Sequence, residues 1–215
     1  MMLTPKERAE AAVRLLEQEY PDAICALQYQ KDYELLFATR LSAQCTDKRV
    51  NIVTQDLYRL FPSLESFAQA EPEEIEAVIR PCGLGKTKAR DLHAAAQYLL
   101  DNHEGKVPGT MAELLKIPGV GRKTANLILG DLYGKPAIVT DTHCIRLANR
   151  IGLVDGIKEP GKVEKALRPI VPPEASSDFC HRLVLHGRDV CTARKPYCEK
   201  CCLREICATG SGEKA

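Results

Sequence analysis

Leu114–His143 reads LLKIPGVGRKTANLILGDLYGKPAIVTDTH. Two apolar helical patterns meet in it at Pro118-Gly119-Val120-Gly121. Glycine permits left-handed backbone and leaves neighbouring N–H groups uncovered. Gly121 opens a helix over about 121–133, and the first N–H groups of any helix lack intrahelical acceptors. The helix dipole adds partial positive charge at the same point. The unit is therefore a helix–hairpin–helix whose turn suits a phosphate. Val120 at its tip offers no polar side chain for reading bases, which predicts sequence-independent backbone binding. Arg122, Lys123 and Thr124 follow at once, and Asp141 and His143 close the stretch.

Outward from the hairpin the pattern is helical nearly throughout. Thr4-Pro5-Lys6-Glu7 is a capping box with Pro at the first helical position, and Tyr20-Pro21 stops that helix. Tyr33 to Ala43 is nearly apolar all round and predicts a buried helix. Thr46 to Phe61 is amphipathic through Val50, Val53, Leu57 and Leu60. Short helices are expected at about 63–69 and 72–79, a tight turn at Pro81–Lys86, and a long helix over about 86–103. Thr110–Glu113 is a second capping box. After Gly134-Lys135-Pro136, Ile138-Val139 form a short extended pair leading to Asp141, the N-cap of a helix to about 151. Helices at about 160–170 and 173–187 complete the chain. No stretch alternates long enough to make a strand, so the fold class is all-α. Gly83-Leu84-Gly85-Lys86 echoes Gly119-Val120-Gly121-Arg122, and both read as helix–hairpin–helix units.

Composition bounds the function. The 215 residues are 45% apolar with no Trp, so the core is aliphatic and enough for one large or two small domains. No apolar run approaches a membrane span, and the charged start MMLTPKERAE has no signal-peptide core. A cytosolic protein is expected. Net charge is only +1, but it is uneven. Residues 1–80 carry nine Lys/Arg against fourteen Asp/Glu, whereas 81–125 and 181–215 each carry seven against four. Two basic segments far apart in sequence fit one nucleic-acid face as well as ordinary surface charge.

Ten cysteines without a signal peptide argue against disulfides. Cys25, Cys45, Cys82, Cys144 and Cys180 are scattered and read as small buried hydrophobes. Cys191, Cys198, Cys201 and Cys207 form C-x6-C-x2-C-x5-C, close enough to wrap one metal centre. A cubane iron–sulfur cluster fits better than zinc, since only Cys198/Cys201 form a close pair. Cys202, beside Cys201, has to point elsewhere. Arg194 and Lys195 lie in the loop between ligands, so the centre would hold a basic loop against phosphates.

Lys123 has two readings, a phosphate contact or a nucleophile. A lysine with an ordinary pKa of ~10.4 is protonated and inert. Arg122, the helix N-terminus and burial against a substrate all disfavour the ammonium. A neutral amine attacks electrophilic carbon and forms a Schiff base. That chemistry wants a carboxylate for proton transfer and charge stabilisation. Asp141, eighteen residues on, is the candidate to face Lys123 across a cleft, unless it serves only as a helix cap.

IPGVGRKTAN, VTDTH, LSAQCTD and the four-cysteine tail together resemble the endonuclease III family of helix–hairpin–helix DNA glycosylases, from about residue 5 to 207. The resemblance implies two helical lobes with DNA in the cleft between them. One is a six-helix barrel over 22–134 that includes the hairpin at about 110–133. The other joins 1–21 to 135–207 and holds a [4Fe-4S] cluster, with 208–215 as a flexible tail. It implies Lys123 as nucleophile, Asp141 as catalytic aspartate, Gln44 as the filler of the gap left by a flipped nucleotide, and Leu84 as a wedge in the opposite strand. Gly119, Val120, Gly121, Arg122, Thr124, His143, Arg194 and Lys195 become expected DNA contacts. The reaction implied is release of an oxidised pyrimidine from damaged double-stranded DNA, followed by β-elimination through a Schiff base, performed by a monomer. Cys45 and Cys144 depart locally from the family pattern, and Cys202 is an extra sulfur. An adenine-specific monofunctional relative would lack Lys123 and carry a further C-terminal domain. A non-catalytic DNA-binding or iron–sulfur protein would share hairpin and cysteines but not need Lys123 with Asp141.

Overall fold

The computed structural model describes residues 3–212. Their regular structure is helical. In chain order it comprises α1 (Pro5–Glu19), α2 (Asp32–Leu41), α3 (Asp47–Leu60), α4 (Leu64–Gln69), α5 (Pro72–Ile79) and α6 (Gly85–His103). Next come α7 (Met111–Leu114), α8 (Arg122–Asp131), α9 (Thr142–Ile151), α10 (Pro160–Leu167) and α11 (Ser176–Asp189). Among the described residues the extended pairing is one isolated antiparallel bridge, Cys191 to Pro196. The all-α expectation holds. No described helix is long and apolar enough to cross a membrane.

The chain divides into two compact units, Cys25–Tyr133 and the described residues up to Ile24 joined with those from Gly134 on. In Cys25–Tyr133, α2 is the central element. Seven consecutive residues, Tyr33 to Thr39, are buried, as the nearly all-apolar pattern predicts, with Glu34 and Thr39 buried among them. Phe37 meets Phe67 of α4 edge to face, with ring centroids 4.9 Å apart. α6 packs its Ala89, Leu92, Ala96 and Leu99 stripe against α4 and α5. α2 stops at Leu41, two residues before the predicted end. Ser42 folds its hydroxyl back to the Thr39 carbonyl at 2.8 Å, and Gln44 turns left-handed.

In the other unit α11 packs on α1 and α9. The Thr4 capping box is formed. α10 ends at Leu167 and not near 170, because Pro169 has no N–H to donate to the preceding turn. Gly152 ends α9 in a left-handed conformation, φ 88°. The segment expected to trail from residue 208 begins as ordered chain. Ala208 is buried, and the Ala208 and Thr209 N–H groups donate to the Ile151 and Arg150 carbonyls at 3.0 Å each. Residues 213–215 of that segment lie outside the described residues.

Candidate active site

The hairpin grows out of α7, whose Thr110 cap accepts the Glu113 N–H at 3.3 Å. The turn closes through the Val120 N–H on the Ile117 carbonyl at 3.1 Å. Gly119 is left-handed, φ 76°, and lies against Asp91 of α6. Gly121 is the N-cap of α8 in extended conformation and supplies no side-chain cap. A Cβ there would meet nothing within 4 Å. The first helical bond of α8 runs from the Ala125 N–H to the Gly121 carbonyl at 2.9 Å. The Lys123 and Thr124 N–H groups, ahead of it, have no intrahelical acceptor. Gly121 is thus free of steric demand inside the protein, and its missing side chain leaves room for an outside group at a helix N-terminus. Arg122 and Lys123 are exposed in the first turn of α8, while Thr124 is half-buried.

Gln44 and Leu84, on separate loops of the same unit, are both exposed and both left-handed, φ 57° and 53°. Among the described residues Glu104 is the other non-glycine with positive φ, and it sits at an ordinary helix C-cap. Non-glycine residues held left-handed are strained, and such strain gathers at functional sites. Leu84 keeps 53% of its surface exposed, an apolar side chain presented to solvent on a strained support.

In the other unit, Asp141 caps α9 as predicted, its Oδ1 accepting the Cys144 N–H at 2.7 Å. It remains half-buried, with its side chain on the rim of the helix N-terminus. His143, in the first turn of α9, has its Nδ1 3.1 Å from Arg146 Nη2. Burial pushes the His143 pKa down, the Asp141 charge and a hydrogen bond with the Gly187 backbone oppose this, and the Arg146 and Arg188 charges add to it. Arg146 Nη2 also donates to the Gly187 and Cys191 carbonyls, at 2.9 and 3.0 Å.

Cys191, Cys198, Cys201 and Cys207 line one pocket together with Arg150, Arg204 and Tyr197. Cys202 is not part of its wall. No three His, Cys, Asp or Glu side chains among the described residues close around a single ion-sized point. Four sulfurs around a shared space fit a multi-atom cluster better than one zinc ion. Burial pushes the Cys201 thiol up to about 12, so a thiolate there needs the positive charge of a bound metal. Hydrogen bonds already face the sulfurs. Arg150 Nη1 lies 3.3 Å from Cys191 Sγ, the Gly210 N–H 3.4 Å from Cys207 Sγ, and His186 Nε2 3.2 Å from Cys201 Sγ. Tyr20 Oη lies 3.1 Å from His186 Nδ1, so both ring nitrogens of His186 are engaged. Such outer contacts orient ligands.

The loop from Cys191 to Tyr197 carries exposed Arg194 and Lys195. Arg146 and Arg150, both on α9, grip it. Arg146 Nη2 donates to the Cys191 carbonyl at 3.0 Å, and Arg150 Nη1 to the Thr192 carbonyl at 2.7 Å. The helix capped by Asp141 therefore also anchors the basic loop. Sequence reading missed these arginines, along with Arg40 and Asp91 below the hairpin. A charged residue on an amphipathic helix carries no mark that its partner is a distant backbone carbonyl.

The HhH-GPD family, described as HhH-GPD superfamily base excision DNA repair protein, matches residues 37–173. Endonuclease III of Synechocystis sp. is 41% identical over 207 residues, covering 96% of this chain and 94% of its own. The chain belongs to the endonuclease III family. Endonuclease III of Escherichia coli K12 is 39% identical and covers 94% of both chains. A solved structure titled as a trapped endonuclease III–DNA covalent intermediate superposes with a TM-score of 0.91 at 39% identity, covering 99% of both chains. A thermostable thymine-DNA glycosylase, 22% identical with a TM-score of 0.86, shares the fold. As a member of that family, the chain is a base excision repair enzyme, a bifunctional DNA glycosylase and abasic-site lyase.

Proposed function

We propose that this enzyme releases oxidised pyrimidines from damaged duplex DNA with Lys123 as nucleophile and Asp141 as its carboxylate partner. The observation that carries the reading is the place of Lys123. It is an exposed amine in the first turn of α8, directly behind a hairpin whose Gly121 leaves room for a phosphate. Catalysis begins with the target nucleotide leaving the stack. The neutral amine bonds to sugar C1′, and the C1′–N bond breaks with its electron pair leaving on the base, which takes up a proton. The nitrogen loses a proton, its lone pair breaks the C1′–O4′ bond, O4′ takes up a proton, and an iminium forms between Nζ and C1′. Loss of a C2′ proton then expels the 3′ phosphate by β-elimination, and water releases the amine. Asp141 accepts a proton from the amine and stabilises positive charge at C1′.

The remaining residues serve the duplex. Gln44 fills the gap left by the flipped nucleotide, and Leu84 wedges into the opposite strand. Gly119, Val120, Gly121, Arg122 and Thr124 hold the backbone at the hairpin. His143, Arg194 and Lys195 add phosphate contacts. Cys191, Cys198, Cys201 and Cys207 hold a [4Fe-4S] cluster, which when bound cross-links the tail and fixes the basic loop without entering the reaction. The enzyme works as a monomer.

Borohydride reduction in the presence of DNA containing thymine glycol or an abasic site tests the nucleophile. The intact protein becomes covalently attached, and Lys123→Gln does not. Undiminished trapping in Lys123→Gln would overturn the assignment.

A further inference from the structure

Lys88 of α6 is fully buried, at 0% exposure. Burying an ammonium is costly unless every donor is matched. Here each is. Nζ donates to the carbonyls of Leu41, Ala43 and Cys82 at 2.8 Å apiece, which uses all three donors of the group.

The three acceptors are not scattered. Leu41 ends α2, and Ala43 lies in the turn just before Gln44. Cys82 ends the 3-10 turn Arg80–Cys82, two residues before Leu84. Carbonyls where a helix stops lack intrahelical partners, and buried ones must be satisfied. A single tripod of donors serves both loops at once. Gln44 and Leu84 stand immediately downstream, and both are left-handed. A residue stays in that conformation only where its surroundings over-determine it. An apolar side chain at position 88 would fill the space but leave three carbonyls bare.

We propose that Lys88 is a positioning residue for duplex opening. Its ammonium fixes the Gln44 loop and the Leu84 loop relative to each other, so that gap filler and wedge enter the DNA as one rigid piece. Lys88 touches neither substrate nor reacting atoms, and its burial excludes a phosphate role. The proposal rests on the reading of Gln44 and Leu84 as the two residues that enter the duplex.

The test compares borohydride trapping on an abasic site in duplex DNA with trapping on the same strand alone. Single-stranded DNA has no gap to fill and no opposite strand to wedge. Lys88→Met lowers the duplex trapping rate by about tenfold to a hundredfold and leaves the single-strand rate within about twofold. Gln44→Ala/Leu84→Ala shows the same selective loss, and adding Lys88→Met to it costs little more. Equal loss on both substrates would mean a general structural role and would overturn the proposal. Unchanged duplex trapping in Lys88→Met, beside a loss in Gln44→Ala/Leu84→Ala, would overturn it while leaving the loop reading intact. Full duplex activity in Gln44→Ala/Leu84→Ala would instead remove the loop reading and the proposal with it. If Lys88→Met lacks a cooperative thermal transition, Lys88→Arg takes its place. It keeps the charge but puts a planar fork where a tripod is needed, and the same duplex-to-single-strand ratio is read.

Discussion

A Cβ on Gly119 would stand 2.8 Å from the Cβ of Asp91. Asp91 cannot withdraw, because its Oδ2 takes both Nε and Nη2 of Arg40 at 2.6 Å. The hairpin is therefore pressed onto α6 through an ion pair that also reaches α2. Gly119 is needed for this approach and for its positive φ, whereas Gly121 answers to neither constraint. Gly119→Ala is expected to lower stability by about 2 kcal/mol, from left-handed strain and a contact that cannot relax. Gly121→Ser should fold at least as well, since serine is a good N-cap. It should still weaken binding to undamaged duplex at fixed salt, because a side chain now stands where the backbone would meet a phosphate. Thermal unfolding beside a binding titration separates the two, and equal affinity for Gly121→Ser and the parent would remove the hairpin from the DNA interface.

Asp141 has an observed role as the cap of α9 and a proposed one in proton transfer, and one substitution can part them. Its Oδ1 caps α9 by accepting the Cys144 N–H. Asparagine caps about as well as aspartate, while alanine at an N-cap costs about 1 kcal/mol. Asp141→Asn should thus unfold within about 0.5 kcal/mol of the parent, and Asp141→Ala should be measurably weaker. Both should lose base release by roughly 10²–10⁴-fold, the usual contribution of a positioned proton-transfer group. If Asp141→Asn retained full excision, capping would be the whole function of the carboxylate.

What the sequence made legible was local. Thr4, Thr110 and Asp141 announce helix starts because a cap is a contact over three residues. The nearly all-apolar run of α2 announces its burial. Four crowded cysteines announce a shared pocket. Lys88 was illegible, since its acceptors Leu41 and Ala43 are 47 and 45 residues away and are backbone atoms of no distinctive residue type. The strain at Gln44 and Leu84 was equally hidden, because neither residue is one that advertises positive φ. Their roles, and the nucleophilic reading of Lys123, came from the family resemblance and not from periodicity or spacing.

The cysteine tail separates a pocket-lining sulfur from its neighbour. Cys201 lines the pocket and Cys202, its neighbour, does not. Cys202→Ser should retain about four irons per chain, as a cubane requires, while Cys201→Ser should lose most of them. Iron and sulfide analysis of the two purified proteins decides the matter. Stoichiometric zinc in the parent would refute the cluster assignment altogether.

His143 gives the enzyme an acid limit that can be assigned to one side chain. Burial and the Arg146 and Arg188 charges depress its pKa below the ordinary value of about 6.5, against the pull of Asp141 and of a hydrogen bond with the Gly187 backbone. The folded state therefore holds a neutral ring, while the unfolded chain takes up a proton first as pH falls. Where the unfolded state binds more protons, stability rises with pH. The contribution of His143 is complete above about pH 6.5 and is lost as pH drops toward the folded pKa. His143→Gln keeps a polar side chain at the site and cannot titrate. The parent's thermal midpoint should consequently fall relative to that of His143→Gln between pH 7.5 and 5.5. A parent-minus-variant difference that stays flat across this range would show that the folded ring titrates as an ordinary histidine.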